Sequence, residues 1–354
     1  MKIGILTYHR TLNYGACLQA LATRIVLEKL GHEVFYVDYW PRYHSQGYKA
    51  FSFKKFLKLP SVGWKLRYIH SIGQRKKRND SFESFQKKYI IPYCKPDTEE
   101  YDIVLYGSDQ IWRKQKSING YDPVYFANNC LNAKKHVAFS ASMGVLPNND
   151  VDRNEIKSLL AKFDKISVRE KDLLDLVKSF GYSSVILTLD PTLLLDSNDW
   201  DKTIPTSTYT GNPYVLVYCI GNADAFNLES IRRYAVDRKL KVIILSGTPG
   251  MSYSNEYVTT ASPFEFLGLI KNADTVFTSS FHGLVFSILY HKEVYASFSH
   301  NSNRAKTLLD TLGLSDRLLQ PSITIPNLKG IDYHYVEMML KRQKESTLNF
   351  LINQ

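Results

Sequence analysis

A chain of 354 residues with 44% hydrophobic and 13% aromatic content carries more apolar surface than one ordinary domain buries, so two cores are expected. A charged fraction of 22%, without long Gly, Ser, Gln or Pro tracts, excludes extensive disorder, because such a chain offsets its ordering entropy by burial. The formal charge of +11 is concentrated: between Lys49 and Lys88 twelve Lys or Arg stand against only Asp80 and Glu83.

That basic segment also carries Phe51, Phe53, Phe56, Leu57, Trp64, Leu66, Tyr68 and Ile69, which makes it amphipathic. Two readings stand. It is either an interfacial helix on anionic headgroups or a lipid-linked diphosphate, or a solvated helical insertion that packs its aromatics inward. Nucleic acid is disfavoured as a partner, since no helix-turn-helix, RRM or zinc-finger pattern accompanies the charge. The opening MKIGILTYHR turns polar after Leu6, too early for an export signal or a spanning helix. Cys17, Cys94, Cys130 and Cys219 stand far apart, without a CxxC pair or a histidine at ligand spacing, so neither a zinc site nor a disulfide framework is expected. The expected location is the cytoplasm, peripheral on the inner face of the membrane through Lys49–Lys88.

In chain order, short apolar runs rich in β-branched and aromatic residues predict strands at Lys2–Thr7, Glu33–Asp38, Asp102–Tyr106, His136–Ser140, Lys165–Val168 and Val185–Leu189. After the first run, Asn13 caps a predicted helix with the stripe Cys17, Leu18, Leu21, Ile25, Val26 and Leu30, and Gly31 stops it. Strand, helix, strand in that order implies a parallel, doubly wound sheet. A Thr-, Ser-, Gly- and Pro-rich stretch at Pro205–Pro213 marks a boundary, and the rhythm restarts with a strand at Tyr214–Ile220, a helix near Asp224–Asp237 and a strand at Lys241–Leu245. Ser262-Pro263-Phe264-Glu265 has the layout of a capping box with proline at the first helical position. The helix it opens leads to strands Thr275–Ser279 and Glu293–Phe298 and a helix Asn303–Leu312, and Tyr333–Ile352 reads as one long amphipathic helix.

The expected fold is α/β, with two Rossmann-like domains facing a cleft in a glycosyltransferase B-like arrangement. Residues 1–204 form the N-terminal, acceptor-binding domain with a basic aromatic insertion at about 42–95. Residues 205–330 form the C-terminal, donor-binding domain, and 331–354 a helix crossing back to the first domain. Neither GxGxxG nor GxxxxGKS/T occurs, so dinucleotide and P-loop binding lack their signatures.

Ligands of open α/β sheets bind at the carboxyl ends of strands, so polar residues directly after apolar runs are the candidates. Within TYHRTLNYGACLQ, residues 7–19, Asn13, Tyr14 and Gly15 fill a strand-to-helix turn whose N–H groups can receive an anion or simply cap the helix. Within YGSDQIW, residues 106–112, Ser108, Asp109 and Gln110 crowd three polar side chains at a strand end. Asp109 can orient a hydroxyl, accept its proton, or cap the next turn. In ISVREKD, residues 166–172, Arg169 offers a bidentate fork suited to a carboxylate or phosphate, or to a neighbouring acid. In TSSFHG, residues 278–283, Ser279, Ser280 and His282 end a strand and open a helix, converging hydroxyls, N–H groups and an imidazole on one point, unless the histidine is a satisfied structural residue at the helix start. Arg304 is a further candidate for anion contact.

These blocks, NYGACLQA, GSDQIW, SASMG, SVRE, LDPTLLL and ADTVFTSSFHGLVFSILYHKEVYA, resemble in their order the polysaccharide pyruvyl transferase family over Lys2 to about Leu319. The resemblance implies a glycosyltransferase B-like fold and transfer from phosphoenolpyruvate, as co-substrate, to a saccharide hydroxyl pair that becomes a pyruvate ketal in cell-surface polysaccharide. It implies no metal and no cofactor. His282 resembles the catalytic histidine and Arg169 a donor-contacting arginine, with Ser279, Ser280 and Arg304 on the donor side. Asn13, Tyr14, Gly15, Ser108 and Gln110 fall to a saccharide acceptor, lipid-diphosphate-linked in one form, and Asp109 joins His282 in catalysis. Family members carry Arg-Leu before the histidine, whereas this chain has Ser280-Phe281, so Arg304 or Arg169 has to supply the cation. The alternatives are a glycosyltransferase using a nucleotide-activated sugar, with Glu265 as the one acid placed for a ribose, or a non-catalytic polyanion- or sugar-binding module built on the basic segment.

Overall fold

Apolar runs too continuous for a half-exposed strand force the centre of each domain into a sheet covered on both faces. The computed structural model describes residues 1–41, 43, 50–128, 131–204, 211–220, 226–246, 256–298, 303–320 and 325–353. Cys130, Lys49, residues 205–210 of the expected boundary and the first residues of the helix expected near Asp224 lie outside them.

The chain runs β1 (Lys2–Leu6), α1 (Tyr14–Lys29), β2 (Glu33–Val37), α2 (Phe53–Leu57), α3 (Val62–His70), α4 (Ile72–Tyr89), β3 (Cys94–Lys95), β4 (Glu100–Tyr106), β5 (Asn132–Ala141), α5 (Asp150–Leu160), β6 (Lys165–Val168), α6 (Lys171–Ser179) and β7 (Ile186–Leu187). These seven strands form one sheet in the order β3-β2-β1-β4-β5-β6-β7, parallel throughout. Then follow α7 (Ser197–Thr203), β8 (Tyr214–Cys219), α8 (Leu228–Asp237), β9 (Lys241–Ser246), β10 (Tyr257–Val258), α9 (Pro263–Lys271), β11 (Thr275–Thr278), α10 (Phe281–Leu289), β12 (Glu293–Ala296), α11 (Asn303–Thr311) and α12 (Tyr333–Ile352). The second sheet has the order β10-β9-β8-β11-β12 and is likewise parallel. Two parallel α/β sheets meeting at a cleft are the Rossmann-like, glycosyltransferase B-like arrangement expected from the sequence.

Local signals account for the element ends. Asn13 Oδ1 accepts the Ala16 N–H at 3.2 Å and starts α1. Ser262 and Glu265 exchange side-chain-to-backbone bonds of 3.2 and 2.7 Å and start α9 behind Pro263. The domains share one continuous apolar core, in which the Tyr14 ring of α1 stacks on Phe266 of α9 at 4.6 Å and Trp200 of α7 meets Phe286 of α10 edge-on at 5.1 Å. α12 begins on the second domain, where the Tyr333 ring stacks on His291 at 4.4 Å, and ends on the first, where Phe350 lies over Phe139 at 6.3 Å.

Within the basic insertion α4 packs Phe82, Phe85 and Tyr89 into the core, whereas residues 51–70 depart from the inward-packed reading. α2 has no buried residue and α3 only Tyr68, so Phe51, Phe56 and Tyr68 make a small aromatic cluster while most of the apolar side chains face outward.

Candidate active site

The winding direction of each sheet reverses beside its central strand: β1 pairs with β2 and β4, and β8 with β9 and β11. Crevices form at the carboxyl ends of strands at such switch points. The two crevices meet in one cavity of about 310 Å³. Asn13 follows β1 into it, and Asp109, Gln110 and Arg113 follow β4; Ile220 follows β8, while Ser279, Ser280 and His282 follow β11, with Phe281, Phe298 and Arg304 completing the wall.

His282 is the second residue of α10. Ser280 caps that helix by accepting the Gly283 N–H at 3.2 Å, and its own N–H donates to Thr278 Oγ1 at 3.0 Å. Gly283 is needed there, because a Cβ would stand 2.3 Å from Thr278 Oγ1. The imidazole then crosses to the first domain and lies in a notch above Gly15, where a Cβ would stand 2.0 Å from Nδ1. Its Nε2 is 3.5 Å from Asp190 Oδ2 and has no hydrogen-bond partner among the described residues.

Asp190 is buried and fully engaged. Oδ2 accepts from Ser108 Oγ at 3.0 Å and from Arg169 Nη1, and Oδ1 accepts the Thr192 N–H at 3.0 Å and its hydroxyl at 2.6 Å. Burial alone would raise this carboxyl, but the charges of Arg169 and His282 and the bonds from Thr192 outweigh it and hold the group well below the usual carboxylate range. Ser108 is oriented in turn by Gln19, whose Oε1 accepts its N–H at 3.2 Å.

Arg169 is buried behind the Phe281 ring, its guanidinium 4.8 Å from the centroid, and Arg304 approaches the same ring at 5.3 Å. Arg169, Asp190, Phe281 and Arg304 border a side cavity of about 20 Å³, room for about one water. The Nε and Nη2 atoms of Arg169 and the Nε of Arg304 lack partners among the described residues. Burial and the neighbouring Arg169 push the Arg304 guanidinium down to about 10, against the pull of Glu170, Asp109 and Asp190. A bound anion would relieve both arginines. Glu170, beside them, is raised by burial in spite of Arg169, Arg304 and the bond from Ser142.

Of the residues singled out in the sequence, Asn13, Asp109, Gln110, Ser279, Ser280, His282 and Arg304 line the cavity. Asp109 also caps locally, accepting the Gln110 N–H at 2.7 Å, and Ser279 Oγ accepts the Ile220 N–H at 3.0 Å. Arg169 sits behind the wall, and Ser108 is buried beneath it on Asp190. Tyr14 is no acceptor contact, contrary to expectation. It is buried, its hydroxyl donates to the Ala261 carbonyl at 2.8 Å and accepts from Arg78 Nη1 at 2.9 Å, because the start of α1 is where the domains touch. Gly15 likewise offers no surface to an acceptor, since the His282 ring covers it. Glu265 is committed to the α9 capping box rather than to a ribose pocket. The sequence reasoning missed Asp190, Arg113 and Gln19. Asp190 stands directly after the apolar run Val185–Leu189, so the strand-end rule already points to it. Gln19 is hidden inside a helical pattern. Among the described residues, the cluster with metal-ligand spacing is His9, Asp38 and Cys94; none lines the cavity, and Arg10 pairs with Asp38 at 2.8 Å.

Three solved structures illustrate the distant likenesses of this chain. A putative UDP-N-acetylglucosamine 2-epimerase from Listeria monocytogenes is 11% identical over 98% of this chain and 89% of that chain, with a TM-score of 0.49. UDP-GlcNAc 2-epimerase from Methanocaldococcus jannaschii is 11% identical over 100% of both chains, with a TM-score of 0.46. A glycosyltransferase from Streptomyces sp. SF2575 is 12% identical over 100% of both, with a TM-score of 0.37. Likenesses this distant carry no activity across. Among curated proteins, none matches the chain. The model of the family described as polysaccharide pyruvyl transferase matches residues 13–302, a stretch that includes strands of both sheets, all but β1, and holds Asn13, Asp109, Arg169, Asp190 and His282. With its two halves supplying one cleft and the match running through both, the chain belongs to the polysaccharide pyruvyl transferase family.

Proposed function

We propose that the protein transfers the enolpyruvyl unit of phosphoenolpyruvate to two hydroxyls of a saccharide, forming a pyruvate ketal and releasing phosphate during assembly of a cell-surface polysaccharide. The observation that carries this reading is His282, brought by the second domain to within 3.5 Å of the anionic Asp190 of the first, beside arginines with N–H groups that have no partner among the described residues. A fixed carboxylate orients the imidazole for proton transfer, and cations around it suit a donor with a phosphate and a carboxylate.

In this scheme Arg304, Arg113 and the start of α10 at Ser280 hold the donor anion. Arg304 supplies the cation that Ser280 does not. Arg169 is a positioning residue, which keeps Asp190 ionised and thereby His282 oriented. His282 gives a proton to the methylene carbon of the donor, and the adjacent carbon, gaining positive charge, is attacked by the first acceptor hydroxyl, whose proton passes to Asp109. The phosphate then leaves with the electrons of its C–O bond, and the second hydroxyl closes the ketal by giving its proton to His282, which restores it, while Asp109 releases the proton it took with the departing phosphate. The reaction as drawn uses only the acids and bases of the chain.

His282→Ala is expected to lower turnover by roughly two to four powers of ten. Asp190→Asn removes the anion facing Nε2, so it is expected to lower turnover through loss of the ring's orientation, with donor affinity changed less than turnover. Near-normal turnover in His282→Ala would remove that residue from the mechanism.

A further inference from the structure

Residues 51–70 carry Lys54, Lys55, Lys58, Lys65 and Arg67 and no Asp or Glu. On the same short helices Phe53 is 65% and Val62 72% exposed, and with Phe51, Leu57, Trp64, Leu66 and Ile69 they make seven of the seventeen large apolar side chains exposed among the described residues. Exposed apolar groups this concentrated mark a contact surface rather than the usual scatter.

We propose that α2 and α3 dock the protein on an anionic lipid bilayer, with the apolar side chains at the headgroup–acyl boundary and the lysines on lipid phosphates. The charge selects this occupant. A second copy of the chain, joined by a two-fold axis, would set like charges face to face. A nucleic acid would neutralise the lysines but leave Phe53, Leu57, Val62 and Leu66 in water. Contact is peripheral, since no helix among the described residues is long and apolar enough to cross a membrane. The surface is coupled to the cleft: α4 leaves α3 at Ser71, and Arg78, about 9 Å along that helix from its start, donates to the Leu12 carbonyl at 3.1 Å beside Asn13. Docking therefore brings the cleft mouth towards the bilayer, where a lipid-linked saccharide would be presented; that last role rests on the pyruvyl-transfer reading, whereas the docking does not.

The test is co-sedimentation of the full chain with vesicles of phosphatidylcholine alone and of phosphatidylcholine and phosphatidylglycerol in equal parts. Binding is expected to the mixed vesicles and to weaken with salt. The triple variant Lys54→Ala, Lys55→Ala, Lys58→Ala should bind about a hundredfold more weakly, at roughly fivefold per charge, and the pair Leu57→Ser, Leu66→Ser roughly tenfold or more. All five side chains are exposed, so the folded state should survive, and an unchanged melting temperature checks this. Equal binding to both vesicles, no binding at low salt, or a serine pair that binds like wild type would overturn the proposal; the last would mean a purely electrostatic surface of the kind a nucleic acid uses. Because vesicle binding is read without turnover, its failure leaves pyruvyl transfer standing, and the reverse holds as well.

Discussion

Gly15 and His282 depend on each other. A glycine-to-alanine change in a helix ordinarily gains up to about 1 kcal/mol. At Gly15 the added Cβ would stand 2.0 Å from the imidazole, so the ring or the domain contact has to move. Gly15→Ala is therefore expected to destabilise by about 1–3 kcal/mol and to lower turnover about a hundredfold through misplacement of the ring. Melting temperature and turnover, measured together, check this, and a stabilised, fully active variant would contradict it. Asp190 makes a second prediction at this scale. Its carboxyl is held below the usual range, so the stability it contributes is present above the unfolded value of about 3.9 and is lost as pH falls below it. Denaturant unfolding of wild type and Asp190→Asn should show a stability gap that is constant near neutrality and narrows below about pH 4. A gap independent of pH would mean that folding does not shift this carboxyl, and a gap that shrinks as pH rises through about 4 that it is neutral in the folded protein.

Among the elements, α1 joins the domains through the chain Arg78, Tyr14, Ala261. Tyr14→Phe leaves the buried Ala261 carbonyl and one Arg78 N–H without this partner, at an expected cost of about 1–3 kcal/mol. Acceptor affinity should not change; a raised KM with unaltered stability would return Tyr14 to the binding surface. How far such elements could be read from the sequence depends on how local their causes are. Asn13, Gly31 and the Ser262–Glu265 box act within one turn of chain, and the ends of α1 and α9 follow from them. β3 and β10 are two residues each, too short to show a period, and escaped notice. The burial of Tyr14 was illegible for another reason: whether a residue at a helix start faces a ligand or a second domain is decided by docking, which no spacing encodes. The insertion shows the same limit, since its pattern of lysines and aromatics fits either an inward or an outward face.

At the scale of the molecule, the site exists only because two domains are held in register. His282 comes from one, Gly15, Ser108, Arg169 and Asp190 from the other, and α12 ties them. Thr347 near its end accepts the N–H of Leu189, the neighbour of Asp190, at 3.0 Å. The strand-end rule found most of the cleft lining one crevice at a time, but the pairing of His282 with Asp190 lies between crevices and had no sequence signal of its own. The central claim is that this shared cleft holds phosphoenolpyruvate. The most direct test is calorimetric titration of phosphoenolpyruvate, with a panel of nucleotide sugars alongside, into wild type and Arg304→Ala. Saturable binding by the wild type, weakened roughly tenfold or more in Arg304→Ala, is the predicted result. Binding of a nucleotide sugar without any binding of phosphoenolpyruvate would contradict the claim.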